Sequence, residues 1–196
     1  QAKIKEKERQ EASGESQRIM DQRQTAKPLD EAHAKAIRTY TSDRDIRGIN
    51  QYQNLNNCLR NPSACANKEE AESLKKGLDD ALKALPKNTD NFLFTRVIPL
   101  SQSTNQLAEF LRTAQPGTLL KDPGFGSFTH DKEHAEGLAH PRWGQSIKLV
   151  TRSGEIVPVN MHSNVKDEME GILPRDTSLR IVSVKDDGNG LTVVLE

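Results

Sequence analysis

The sequence is poor in the groups that mark several common protein classes. Apolar residues make up 34 % of its 196 residues and aromatic ones 4 %, low for a globular chain. No run approaches the ~20 apolar residues of a membrane span, and no signal peptide is visible. The first residue is Gln1, not Met. The chain is therefore expected to be the C-terminal piece of a longer protein, and the missing signal says little about where the parent goes. Cys58 and Cys65 are the only cysteines; two do not make a disulfide framework, and whether they pair stays open. The 28 basic and 28 acidic residues cancel, which argues against a surface built mainly for polyanions. No internal repeat is present. His130, His134, His140 and His162 show no metal-ligand spacing, so no metal is expected.

What is present divides unevenly. Residues 1–30 are almost wholly polar, with Ile4, Ile19 and Met20 as the large apolar side chains of the first 25. Lys, Glu, Gln and Arg favour helix, but there is little face to bury. Residues 1–28 read as a polar helical extension outside the main core, and residues 29–196 as the folded domain. Ala32, Ala36, Ile37 and Tyr40 at helical spacing predict a helix over 29–40. A second is predicted over 44–60, capped by Ser42 or Asp43, with Ile46, Ile49, Tyr52, Leu55 and Leu59 on one face. A third runs over 68–84, with Asn67 as cap and Pro86 as stop.

After Asn88 the period shortens. Strands are predicted at 92–100, 118–120, 125–129, 145–150, 156–159, 178–184 and 191–195. Arg152-Ser153-Gly154 reads as a hairpin turn between the fourth and fifth of these, and residues 186–190 as the turn joining the last two. Short helices are expected at 103–112, burying Leu107, Phe110 and Leu111, and at 131–138. Trp143 reads as core or interface. Helices followed by many short strands mean α+β with an antiparallel or mixed sheet.

The stretch with most chemical content is Glu168-Met169-Glu170, followed by Ile172-Leu173-Pro174 and the strand from Leu179. At strand spacing both carboxylates face one site and Met169 turns away. Upstream lie Phe94-Thr95-Arg96-Val97 and Gly124-Phe125-Gly126-Ser127-Phe128-Thr129, with 31 residues from Arg96 to Ser127 and 43 from Ser127 to Glu170. Earlier still come Tyr40-Thr41, Ile49-Asn50 and Leu59-Arg60. In order and spacing this set resembles the bacterial ADP-ribosyltransferase toxin domains of the arginine-specific, Glu-x-Glu class. Phe128 stands where that pattern has Thr, and Thr129 where it has Ser.

The resemblance implies an α+β, ADP-ribosyltransferase-like fold: N-terminal helices, then a split mixed or antiparallel β core. It implies NAD as co-substrate, lined by Arg96, Gly126, Ser127, Phe128, Thr129 and Glu170. Arg96 would contact phosphate, for which a planar guanidinium is suited. Ser127 would hold the catalytic glutamate beside the nicotinamide ribose. Glu170 would face the positive charge that develops on the ribose, and Glu168 the incoming nucleophile. Phe125 and Phe128 have two readings, as rings stacked on nicotinamide or as core. The loop 162–167 carries none of the aromatics that the family often places before its acids.

The implied activity is transfer of ADP-ribose to an arginine of a target-cell protein, by a domain secreted or injected into that cell. A cognate neutralising protein would be a further partner, and no membrane partner is implied. The alternatives are RNA or another acceptor, a non-catalytic module of the same fold, and a structural piece of a secretion or phage assembly.

Overall fold

The structure is a computed structural model describing residues 2–42, 50–165 and 168–196, with backbone only for residues 2–13. Helix α1 (Ala2–Thr25) leads into α2 (Glu31–Tyr40), α3 (Gln51–Arg60) and α4 (Lys68–Ala84). Asp30 caps α2 by accepting from the Ala32 N–H, and Asn67 caps α4 by accepting from the Glu70 N–H. Glu69 and Glu70 in the first turn of α4 and Lys83 in its last complement the helix dipole. The predicted start of α3, with Asp43, Ile46 and Ile49, lies outside the described residues. Cys58 on α3 is joined to Cys65 by a disulfide. That bond fastens the end of α3 to the segment before α4.

The β half contains β1 (Phe94–Pro99), β2 (Leu119–Lys121), β3 (Gly126–Thr129), β4 (Ser146–Thr151), β5 (Val157–Pro158), β6 (Glu170–Leu173), β7 (Ser178–Asp186) and β8 (Gly190–Leu195). Their order in the sheet is β2-β7-β8-β4-β1-β3-β6-β5. β4 and β8 are parallel and the other pairs antiparallel, so the sheet is mixed. β1 and β3 share a single register pair, Thr95 with Thr129. The sheet is thus nearly divided there into a five-stranded part and a three-stranded part. Helix α5 (Asn105–Thr113) precedes β2, and α6 (Lys132–Leu138) follows β3.

Two apolar clusters hold these layers. One gathers Phe94, Ile147, Leu149, Leu179, Ile181, Leu191 and Val193 with Leu111 of α5 and Phe128 of β3. The other packs Ile37 and Tyr40 of α2, Leu55 of α3 and Leu74, Leu78 and Leu82 of α4 against Phe125, Val157, Val159 and Ile172. β3 and β6 lie between the two. Alternation along each strand sends Ile172 to the helical side and Leu173 to the other.

Several expectations need correction. The polar N-terminal helix is not wholly outside the core, because Met20 is 2 % exposed within the first cluster. Gln24, also 2 % exposed, hydrogen-bonds Asn160. β4 and β5 do not form a hairpin: β4 pairs with β1 and β8, and β5 pairs with β6. The reason is Asn88. Its side chain donates to the Ser153 carbonyl at 3.2 Å and its backbone N–H to the Ile156 carbonyl at 2.8 Å, which fastens that turn to the chain before β1. Phe110 is 43 % exposed and Trp143 65 % exposed. Trp143 lies outside the core, with the Arg142 guanidinium 4.7 Å from its ring centre.

Gly171 in β6 shows how close this packing is. A Cβ there would lie 2.6 Å from Ile156 Cγ2 and 2.7 Å from Phe94 Cε1. Both are buried side chains of the first apolar cluster. Gly171→Ala is therefore expected to destabilise the protein by about 1–3 kcal/mol, the usual range for overpacking. Urea denaturation followed by circular dichroism measures it, and an unchanged midpoint would contradict this account of the packing.

Candidate active site

The site forms where the helical layer meets β3 and β6. Phe125, the residue before β3, is held from α3: its N–H donates to Asn56 Oδ1 at 2.8 Å. The Asn56 amide nitrogen donates in turn to the Tyr40 hydroxyl at 3.2 Å. That hydroxyl lies 3.3 Å from Ser127 Oγ and 3.4 Å from the Phe125 carbonyl. The Tyr40 and Phe125 rings meet edge to face, 5.9 Å apart. Burial pushes the Tyr40 phenol above its ordinary pKa, and the Glu170 charge adds to this. The bonds from Ser127 and Asn56 and the Arg96 charge act in the opposite sense. Tyr40 is therefore a neutral phenol at neutral pH.

Antiparallel register then sets the carboxylate. Thr129 is opposite Glu170 and Ser127 opposite Ile172, so Ser127, Thr129, Glu170 and Ile172 share one face. Ser127 is exposed on that face, and Glu170 is largely buried. Phe128 points the other way, with its ring in the first apolar cluster. On that side it lies beside Gly126, where a Cβ would be 3.1 Å from its Cε2 and 3.2 Å from Arg96 Nη1. Of the two readings of Phe125 and Phe128, core is the one that holds for both rings.

Arg96 comes from β1. Its guanidinium lies against Gly126, where a Cβ would be 3.2 Å from Nη1; a side chain at 126 would crowd it. Nη1 also meets Asp122 Oδ2 at 3.4 Å. The same carboxylate accepts two bonds from Arg60, at 3.0 and 2.9 Å, and one from the Gly124 N–H at 2.8 Å. Two guanidiniums thus share one carboxylate at the start of β3. Burial and the nearby Arg60 charge both act to lower the Arg96 pKa, with Asp122 opposing them. A guanidinium starts high enough to remain charged.

Glu168 is not in a strand. It occupies a short turn, and Met169 after it has φ +46°, the left-handed region that side chains seldom adopt. The two acids are therefore not related by plain strand spacing. Thr129 Oγ1 donates to the Glu168 carbonyl and accepts from the Asp131 N–H at 3.0 Å. Its hydroxyl braces the turn. Asp131 caps α6 by accepting from the Glu133 and His134 N–H groups, and His134 Nε2 lies 3.8 Å from Glu168 Oε1.

Of the residues singled out in the sequence, Arg96, Gly126, Ser127 and Glu170 meet around β3 and β6, with Glu168 one turn before. Asn56 and Asp122 are additions. Asp122 reads in the sequence as part of a Pro-Gly break, and Asn56 as a polar position on a helix. Nothing local in either points to a partner more than sixty residues away.

A sequence profile of the ADP-ribosyltransferase exoenzyme family matches residues 15–195. The chain belongs to that family. NAD is accordingly its co-substrate. Among curated proteins, none matches the sequence. The fold of this ADP-ribosyltransferase is similar to that of the Vis toxin of Vibrio splendidus (TM-score 0.69, 17 % identity, 95 % of this chain and 84 % of that one). Vis has also been crystallised with agmatine. Exoenzyme S of Pseudomonas aeruginosa, in complex with human 14-3-3 protein beta and carba-NAD, gives a TM-score of 0.66 at 19 % identity, covering 93 % and 82 %. An ADP-ribosyltransferase of Clostridium botulinum gives 0.66 at 14 % identity, covering 94 % of each chain.

The charge arrangement has a pH consequence. Burial alone would raise the Asp122 pKa, but the Arg60 hydrogen bonds and charge, the Gly124 N–H and the Arg96 charge outweigh it and hold it below the ordinary value. A carboxyl depressed in the folded state stabilises the fold above its unfolded pKa, about 3.9. That stability is lost as pH falls through the folded value. Asp122→Asn should therefore be less stable than the parent at pH 6, with the gap narrowing below about pH 4. A gap that stayed constant from pH 6 to pH 3 in thermal melts would count against this pairing.

Proposed function

We propose that this domain is an arginine-directed mono-ADP-ribosyltransferase, with Arg96, Gly126, Ser127 and Glu170 holding NAD and Glu168 serving the acceptor. The observation that carries the reading is the register of β3 with β6, which sets the exposed Ser127 hydroxyl and the Glu170 carboxylate on one face. The side chains suit the co-substrate. Arg96 and Arg60 supply guanidiniums for a pyrophosphate, Gly126 leaves the Arg96 head room, and Ser127 offers a hydroxyl to a ribose.

NAD brings a glycosidic bond whose nicotinamide leaves as a neutral base with the bonding electron pair. Glu170 sits where positive charge builds on the ribose, and a carboxylate fixed in advance lowers that barrier. The acceptor nitrogen then bonds to the ribose carbon and gives up one proton. A guanidinium is fully protonated and a poor nucleophile; Glu168 orients it and takes that proton. The presence of two acids supports a guanidinium acceptor, as does the agmatine complex of Vis, since agmatine carries this group. The domain is read as a bacterial effector that reaches a target cell and modifies a protein there. A cognate neutralising protein in the producing cell fits that role.

Two sets of variants test the assignment. Glu170→Gln should lower both transfer and NAD hydrolysis by about a hundred- to thousand-fold, the effect of losing one preorganised electrostatic partner. Glu168→Gln should abolish transfer to agmatine while leaving measurable hydrolysis, because water needs less orientation than a guanidinium. Normal hydrolysis in Glu170→Gln would end the site assignment. Arg96→Ala should weaken NAD binding by about 1.5–3 kcal/mol through loss of a charge-assisted contact. Calorimetry that found the affinity unchanged would remove Arg96 from the phosphate role.

A further inference from the structure

The segment after β5, residues 159–165, is held at two places by helices outside the sheet. At its start, Gln24 of α1 donates to Asn160 Oδ1 at 2.5 Å and accepts from the Met161 N–H at 3.0 Å. Asn160 Nδ2 donates to Asp21 Oδ1 at 2.7 Å. Further on, the last turn of α2 takes over. The Asn164 N–H donates to Thr41 Oγ1 at 3.0 Å, and Asn164 Nδ2 donates to the Arg38 carbonyl at 2.7 Å. Thr41 is buried, and its hydroxyl is oriented by its own bond to the Ile37 carbonyl at 2.9 Å.

From Asn164 the hold continues to the acid. The buried Ser163 accepts from the Val165 N–H at 3.0 Å, and the Val165 carbonyl accepts from the Glu168 N–H at 3.4 Å. The Glu168 carbonyl is fixed from the other side by Thr129. The same turn of α2 bears Tyr40, which meets Ser127. One helix end therefore touches both the hydroxyl assigned to NAD and the loop that carries the acid assigned to the acceptor.

We propose that Asn164 is a positioning residue for transfer, clamping the loop to Thr41 and Arg38 so that Glu168 is presented to the acceptor. The proposal rests on the reading of Glu168 as the acceptor-facing acid. Asn164 touches neither reacting group. It fixes the backbone from which Glu168 projects, and small misplacements of an orienting group are costly to rate. Hydrolysis, which depends on Glu170 in β6, does not need this clamp.

The test uses the full chain with NAD and agmatine. Asn164→Ala removes the side-chain bond to Arg38, Thr41→Val removes the hydroxyl at constant shape, and Thr41→Ser keeps it. Transfer should fall about tenfold in Asn164→Ala and in Thr41→Val, the scale of one net hydrogen bond. The loss should be in kcat for transfer, with NAD hydrolysis within about twofold of the parent and transfer retained in Thr41→Ser. Unchanged transfer in both Asn164→Ala and Thr41→Val overturns the proposal. So does a proportional fall of transfer and hydrolysis with a lowered melting temperature, which would mark a purely structural role. Glu168→Gln is assayed alongside. If it fails to separate the two activities, the reading of Glu168 falls and the proposal with it. If it separates them and Asn164→Ala does not, the positioning role alone is wrong.

Discussion

The Tyr40 hydroxyl is the contact on which the arrangement depends. It is buried, it belongs to the helical core, and it reaches the strand that carries Ser127. A buried phenol without partners would be costly. Here it has Asn56 on one side and the Phe125 carbonyl and Ser127 on the other. Satisfying that single polar group fixes the relative placement of α2, α3 and the start of β3. The β3–β6 register then places Glu170. Helical packing and site geometry are thus one constraint, transmitted through a side chain that need not react.

The charged part of the site follows a related logic. Like charges brought close repel, and an opposite charge between them offsets that repulsion. The Asp122 carboxylate is shared between Arg60 and Arg96 and receives a backbone N–H as well. Two like charges can therefore stand near each other. Under the proposed reading, a pyrophosphate would meet guanidiniums already brought close to one another, so less ordering would remain to be done on binding. Asp122 acts as the standing counter-charge of both guanidiniums.

Those parts of the fold with local causes were legible in the sequence. α2 and α4 start at Asp30 and Asn67 because capping is a short-range hydrogen bond. β7 and β8 follow from alternation and the glycines between them. The parts set by distant partners were not. The turn at 152–154 looks like a hairpin, yet Asn88, 65 residues from Ser153, holds it elsewhere. One buried Met in a polar helix makes no periodic face, so Met20 and the Gln24–Asn160 pair gave no signal. Arg96, Ser127 and Glu170 could be picked out because their segments follow a known order. Asp122 and Asn56 could not, since each acts through a partner on another element.

The position of Trp143 governs how this protein can be observed. It is the single tryptophan, and it projects into solvent beside Arg142, outside both apolar clusters. Its indole is already largely hydrated in the native state. Intrinsic fluorescence will therefore shift little in wavelength on unfolding and will be a poor reporter of the core. The same exposure makes it a sensitive reporter of anything that covers the turn after α6, because contact there would exclude water from an indole that is 65 % exposed.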